Sequence, residues 1–448
     1  MARIVIIPGT IRSKLITQVE LAARLERAGF DIIVVAPPGG SVDEAGIQYI
    51  RAGLELDASP RERGRPARKT RVARREAAVA ATDVDGFTNR LRKLGPDLVL
   101  IDIESHAEIM AAVQAGLRVG LINVFFNLWK HPRVPPVHVP VTPGVGMSGT
   151  RPGIEWTWLR YRIWRWLELR RSRWDGNDEL ARLEALAERL DYSLAREVDY
   201  YQGLLPYIYR RLPILNTNLL ELDLPHKPHP NIRYVGPMTS VERPTFSTEE
   251  KSVAADIVRI AAESRDAGRK LLYCSFGAYF MGDDTAFLRR MIEAAATGGD
   301  WTVVLGLGRR HDPDDLGPLP EHVHAFGWAP QMVALERADA ALIHGGMTTV
   351  YECLHFAVPM VTYPYDIFDQ NGTAARVRYH GVGISSDWRR DTPSQIAAHI
   401  DRTLGDAAIQ RRVATMRKHM ERYRSEASLE NAVAEILADT GGVGASRT

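Results

Sequence analysis

At 448 residues the chain is too long for one ordinary core, so two domains of about 200 residues each are expected. An apolar fraction of 45% with 25% charged residues is that of a globular protein, and a net charge of +2 argues against nucleic acid as the main partner. Cys274 and Cys353 are the two cysteines, each inside an apolar segment, which excludes a disulfide framework and a cysteine zinc site.

Met1 leads into RIVIIP, too short for a signal segment, and no apolar run of about 18 residues follows, so a cytoplasmic protein is expected. In chain order, short Val/Ile/Leu-rich runs predict strands at 3–8, 31–37, 97–102, 118–124 and 213–218, then at 270–277, 301–308, 323–328, 340–346 and 358–364. Helical periods separate them. Two successive β/α series imply an α/β protein of two doubly wound, Rossmann-like domains, with ligands at the carboxyl ends of strands. The stretch 231–250 has linker composition, giving an N-terminal domain of 1–236, a linker of 237–245, a C-terminal domain of 246–415 and a final helix and tail of 416–448.

Three stretches interrupt the alternation. The basic segment 61–75 reads as a mobile solvated loop. The segment 154–171 reads as a helix with Trp156, Leu159, Ile163, Trp166 and Leu167 on one face. Core packing is the leading reading of that stripe, followed by an apolar acceptor pocket and then an interfacial helix making peripheral membrane contact without stable insertion. LENAVAEILADTG predicts a last helix, followed by a Gly/Ser tail expected to be disordered.

The second half carries the sharpest pattern. His344-Gly345-Gly346 ends a predicted strand and Thr348-Thr349 opens a helix, a junction whose free N–H groups and dipole favour an anion such as a diphosphate. Glu352, further along that helix, can accept hydrogen bonds from two vicinal ribose hydroxyls. Trp328 offers a flat face for a nucleobase, and Asp369 and Gln370 can receive sugar hydroxyls. Each signal alone is weak. Trp328-Ala-Pro-Gln331, then His344 and Gly346 with two threonines, then Glu352 eight residues after the histidine, then a Pro-rich strand ending in Asp369-Gln370, together resemble the GT-B nucleotide-sugar-dependent glycosyltransferases. This is the family that includes plant secondary-product and bacterial macrolide enzymes.

The resemblance implies a GT-B fold whose last helix returns to the N-terminal domain. It implies Trp328 on uracil, Gln331 and Glu352 on ribose, His344 and Thr349 on the diphosphate, Asp369 and Gln370 on the hexose, Thr348 near sugar and phosphate, and Ser275 as a further donor. It implies no metal and no cofactor, UDP-glucose being the expected donor substrate, and Glu352 favours UDP over dTDP. Asp83-Val84-Asp85, the one Asp-x-Asp triplet of interest, reads as turn chemistry. Two positions depart from the pattern: Thr348 stands where relatives usually have Asn, and Ala357 where they have Gly. The segment 364–370 is one residue longer than usual.

An inverting transfer needs a base for the acceptor hydroxyl. In the resembled family it is a histidine after the first strand, held by an aspartate on a later strand. Here Lys14, beside Ser13, takes the histidine's place, and no histidine precedes His106, while Asp102 matches the aspartate. The candidates, in order, are His106 with Asp102, then Glu104, then His131; Lys14, Ser13, His131 and Trp129 are acceptor-side candidates. The expected activity is inverting transfer of a hexose from a UDP-sugar to a small, largely apolar natural product. A catalytically inactive nucleotide-sugar-binding partner protein and a GT-B UDP-sugar epimerase are the alternatives.

Overall fold

The computed structural model describes residues 1–36, 49–51, 68–239, 247–277 and 282–439. Among the described residues the first half holds nine strands, seven in one sheet (β1 Arg3–Ile7, β2 Asp31–Ala36, β3 Tyr49–Arg51, β4 Leu98–Asp102, β5 Val119–Asn123, β8 Ile214–Asn216 and β9 Ile232–Tyr234) and a small antiparallel pair of β6 Val198–Asp199 with β7 Ile208–Tyr209. The seven form one parallel sheet in the order β3-β2-β1-β4-β5-β8-β9. The second half holds β10 Lys270–Ser275, β11 Trp301–Gly306, β12 Val323–Phe326, β13 Ala340–Ile343, β14 Met360–Thr362 and β15 Gly383–Ser385, parallel in the order β12-β11-β10-β13-β14-β15. All ten expected strands are present.

Strands such as β4 and β11 are buried along their whole length, which is why they read as unbroken apolar runs. In each sheet the winding reverses once, between β1 and β4 and between β10 and β13. The loops leaving the two strands on either side of such a reversal diverge, and the crevice between them is where a doubly wound sheet binds its ligand.

The last helix, Ser428–Ala438, returns to the first half as expected, packing Leu429, Val433 and Ile436 on Ile4, Leu98, Ile122 and Leu215. A buried ion pair joins the halves: Arg376 Nε donates to Asp223 Oδ1 (2.7 Å), and Asp223 also receives Asn127 N (2.8 Å) and Tyr234 OH (3.1 Å). Leu219 N donates to Tyr351 OH across the same boundary (3.0 Å). Gly372 has no room for a side chain, because a Cβ there would meet Val137 O at 1.7 Å, so the Pro-rich segment 131–144 crosses directly onto the second half.

Three expectations change. Residues 232–234 of the expected linker stretch form edge strand β9, paired in parallel with β8; its Pro/Ser/Thr neighbours masked the short Ile-Arg-Tyr run. Residues 240–246, the basic residues 61–67 and the tail 440–448 lie outside the described residues. From Arg68 the basic segment is a helix to Ala81, held by Arg71 Nε on Asp175 O (2.8 Å) and by buried Val79. The third change is in helix Arg151–Asp175. Its core face is Ile154, Trp158, Tyr161, Arg165, Leu169 and Ser172, while the five residues of the expected core stripe are exposed. Arg165 hid the true inner face from the pattern; its buried guanidinium is satisfied by the carbonyls of Tyr200 and Pro206.

Candidate functional site

In the second half, β13 ends at Ile343, His344 follows it, Gly345 turns the chain at φ +78°, and Gly346 caps helix Met347–His355. The His344 ring lies between two glycines: a Cβ on Gly346 would come within 2.4 Å of Nε2, and one on Gly277 within 3.1 Å of the ring. Burial pushes His344 down to about 4, with Arg310 adding to the effect, so the ring is neutral at pH 7 and offers an N–H without a charge. Thr348 and Thr349 occupy the first turn of the helix, whose leading N–H groups have no intrahelical acceptor.

Gln331 opens the short helix Gln331–Leu335 and ties the expected ribose group together. Tyr273 OH donates to its Oε1 (3.2 Å), and its amide donates to Thr349 Oγ1 (3.3 Å) and to Glu352. Glu352 is buried at 1% exposure, so its carboxylate depends on such partners. Trp328 follows β12 and carries the Arg309 guanidinium 5.2 Å from its ring centre. Ser275 ends β10, next to the His344 junction across the sheet reversal.

After β14 the chain passes through two non-glycine residues in the left-handed region, Asp366 (φ 61°) and Phe368 (φ 49°), before Asp369 caps helix Gln370–His380. This is the segment with the extra residue. Strain of this kind persists where surrounding contacts hold it, here Asn371 Nδ2 on Asp366 Oδ1 (2.9 Å) and the Gln370 side chain on Tyr365 N (2.8 Å). Asp369 is desolvated, which pushes its carboxyl above the usual range, and Lys14 of the first half is close enough to oppose that shift.

The first half brings a different set together. Gln18, fully buried, bridges two loops: its Oε1 accepts Gly9 N (2.7 Å) and its amide donates to Asp102. Asp102 Oδ1 accepts Glu104 N (3.0 Å), and a Cβ on Gly9 would meet Oδ2 at 3.0 Å. Asp102 is therefore enclosed, its carboxyl raised by burial against the lowering effects of Lys14 and Gln18. Lys14 pairs with Glu104 and sits 4.9 Å over the Phe125 ring; burial lowers its pKa. Glu104, whose side chain is 34% exposed, is the carboxylate of this group that reaches solvent. Ser13 is exposed, its carbonyl taken by Thr17.

His106 is not brought to Asp102 as expected of a joint base. It is buried among tyrosines, with Nδ1 on Tyr209 OH (3.0 Å) and its ring 4.4 Å from that of Tyr207, and burial beside Arg165 pushes it down to about 3. It opens helix His106–Gln114, which turns it into the core instead of toward Asp102. His131 packs near His226 (6.3 Å between rings), and Trp129 stacks on His229 (4.1 Å), so both belong to the loop beside the domain boundary. Asp83 caps helix Val84–Leu94 by accepting Gly86 N (2.9 Å), the turn role expected of that triplet.

Sequence reasoning missed Gln18 and Tyr273, which stand in runs that look like plain core. It also missed Asp284, which is fully buried and gathers Arg310 (2.8 Å), His311 (2.7 Å) and Tyr365 (2.5 Å) behind the His344 loop. An aspartate at the start of a helix, here after Asp283, reads from sequence as an ordinary cap.

Residues 290–436 match the model of the erythromycin biosynthesis protein CIII-like C-terminal domain. The NDP-glycosyltransferase YjiC of Bacillus licheniformis is 26% identical over 208 residues, which are 46% of this chain and 49% of that protein. The oleandomycin glycosyltransferase of Streptomyces antibioticus is 34% identical over 122 residues, 27% of each chain. The match thus spans half or less of these relatives' length. Among solved structures, the calicheamicin glycosyltransferase CalG4 superposes with a TM-score of 0.63 at 18% identity, covering 98% of this chain and 99% of that one. The glycosyltransferase VinC, solved in complex with dTDP, gives 0.60 at 16% identity, covering 97% and 100%.

Proposed function

We propose, from the match of residues 290–436 to the erythromycin biosynthesis protein CIII-like C-terminal domain and from the GT-B fold, that the protein is an inverting, metal-independent glycosyltransferase. It moves a hexose from UDP-glucose or a similar UDP-sugar to a small, largely apolar natural product. The observation that carries this reading is the network Tyr273–Gln331–Thr349–Glu352 beside the His344 junction, set at the reversal of the second sheet. Glu352 and Gln331 hold the ribose hydroxyls, and Trp328 takes the uracil. The neutral His344 and the helix N-terminus take the diphosphate, stabilising the charge that develops as it leaves.

The acceptor oxygen attacks the anomeric carbon, the bond to the diphosphate breaks, and the hydroxyl proton passes to a base. We assign that base to Glu104, with Lys14 as its positioning cation and Asp102 as the enclosed group that fixes the loop through Gln18. The interaction of Lys14 with Asp369 supports this, because it couples the acceptor-side cation to the hexose-binding end of the other half. A carboxylate is a weaker base than an imidazole, which suits an acceptor hydroxyl that is already acidic, such as a phenol.

The test is incubation with UDP-glucose and a panel of phenolic and macrocyclic acceptors, read by mass spectrometry. A glycoside carrying one added hexose is the expected result. Tight UDP-sugar binding with no conversion would make the protein a binding partner. Conversion of UDP-sugar without an acceptor would make it an epimerase or hydrolase.

A further inference from the structure

Helix Arg151–Asp175 has a second apolar face that nothing among the described residues covers. Trp156 (60% exposed), Leu159 (49%), Ile163 (50%), Trp166 (44%) and Leu167 (53%) line the side opposite its core residues. More than half of the large apolar side chains exposed among the described residues sit on this one helix. Arginines frame the stripe: Arg160 and Arg171 border one edge, Arg162 the other, and Arg170 lies within it, 4.6 Å over the Trp166 ring. The acids within the helix proper do not offset them, since Glu155 is paired with Lys130 (2.7 Å) and Glu168 with Arg165.

A convex helix with tryptophans and leucines between rows of arginine matches the chemistry of an anionic lipid surface. The indoles suit the headgroup boundary and the guanidiniums suit the phosphates. A second copy of the chain is disfavoured, because a two-fold contact on this face would bring the arginine rows together. No helix among the described residues is long and apolar enough to cross a membrane, so the helix lies along the surface.

We propose that the outer face of helix Arg151–Asp175 seats the protein on an anionic membrane surface. The inner face gives this a consequence for the site. Trp158 Nε1 donates to Val134 O (2.7 Å) and Tyr161 packs against His138, so the helix carries the Pro-rich segment that reaches Gly372 and Arg378 at the domain boundary. Seating the helix brings that boundary to the lipid, where an apolar acceptor is concentrated. This last step alone rests on the proposed transferase function; membrane seating does not.

Vesicle flotation of the full chain tests the proposal without any activity measurement. The protein is expected to float with vesicles of phosphatidylcholine and phosphatidylglycerol, weakly with phosphatidylcholine alone, and less as salt is raised. The triple variant Trp156→Ala/Trp166→Ala/Leu167→Ala is expected to stay unbound with an unchanged melting temperature. Replacing Arg160, Arg170 and Arg171 by glutamine is expected to weaken partitioning by roughly fivefold per residue. Absence of flotation with both vesicles overturns the proposal, as does flotation that the triple variant leaves intact. Self-association in light scattering that the triple variant abolishes, without flotation, assigns the face to a second copy and overturns it too.

Discussion

The two sheets gather most of their candidate groups at equivalent positions, around the crevice where the winding reverses, yet they are built from sequence in opposite ways. In the second half, the candidate donor residues Trp328 to Gln370 come from three consecutive strand ends, so their order along the chain survives as their order in space. In the first half, Gly9, Lys14 and Gln18 follow β1 while Asp102 and Glu104 follow β4, with about 90 residues between them. The family-like part of the site is the part encoded locally. The part that departs from the resembled pattern, Lys14 where a histidine is expected, with Glu104 as its partner beside the matching Asp102, is assembled through tertiary contact. On the proposed function, donor and acceptor chemistry reside on separate sheets, so one can change while the other is kept.

The comparison is broken most severely at the first-half pair. Glu104→Gln is expected to lower turnover by about 10²–10⁴-fold while leaving the UDP dissociation constant within twofold of wild type (~0.4 kcal/mol). Loss of UDP affinity in that variant would show that the halves are not separable as described. Next is the joint between them. Arg376→Met leaves the Asp223 carboxylate buried without its cation and is expected to cost about 3–5 kcal/mol. Calorimetry should then split one unfolding transition into two; a single unshifted transition would show the pair to be dispensable.

On the donor side, Glu352→Gln is expected to weaken UDP about 100-fold by titration calorimetry, with less effect on dTDP, whose sugar lacks one hydroxyl. An equal loss for both would remove Glu352 from the ribose. His106 tests the reassignment of the base. Its ring is neutral in the fold and its pKa is held down at about 3, so the unfolded chain binds the proton more readily. Its share of stability is whole above about pH 6.5 and falls as pH drops, by roughly 2 kcal/mol at pH 5. Urea midpoints at pH 7 and 5 should converge in His106→Phe, and that variant should retain turnover.

The smallest effect belongs to the departure at Ala357, which the structure holds at φ 57° after helix Met347–His355. Ala357→Gly relieves a left-handed alanine and is expected to add about 1 kcal/mol to stability in urea.

The strand runs, the two-domain α/β class and the grouping of Gln331, Thr349 and Glu352 in the second half were legible from residue order. A strand buried on both faces must be apolar throughout, and a strand-to-helix junction that approaches a phosphate needs its glycines and hydroxyls within one turn. Tertiary structure alone decided three things. It enclosed Asp102 through Gln18 and turned His106 into a tyrosine cluster, because burial of a titratable side chain depends on what packs over it from elsewhere in the chain. It made β9 from residues whose composition read as linker, since an edge strand of three residues is stabilised by its neighbour β8 and not by its own propensity. It also chose the inner face of helix Arg151–Asp175. Two apolar stripes competed there, and the one interrupted by Arg165 went inward because the carbonyls of Tyr200 and Pro206 were in place to receive the guanidinium.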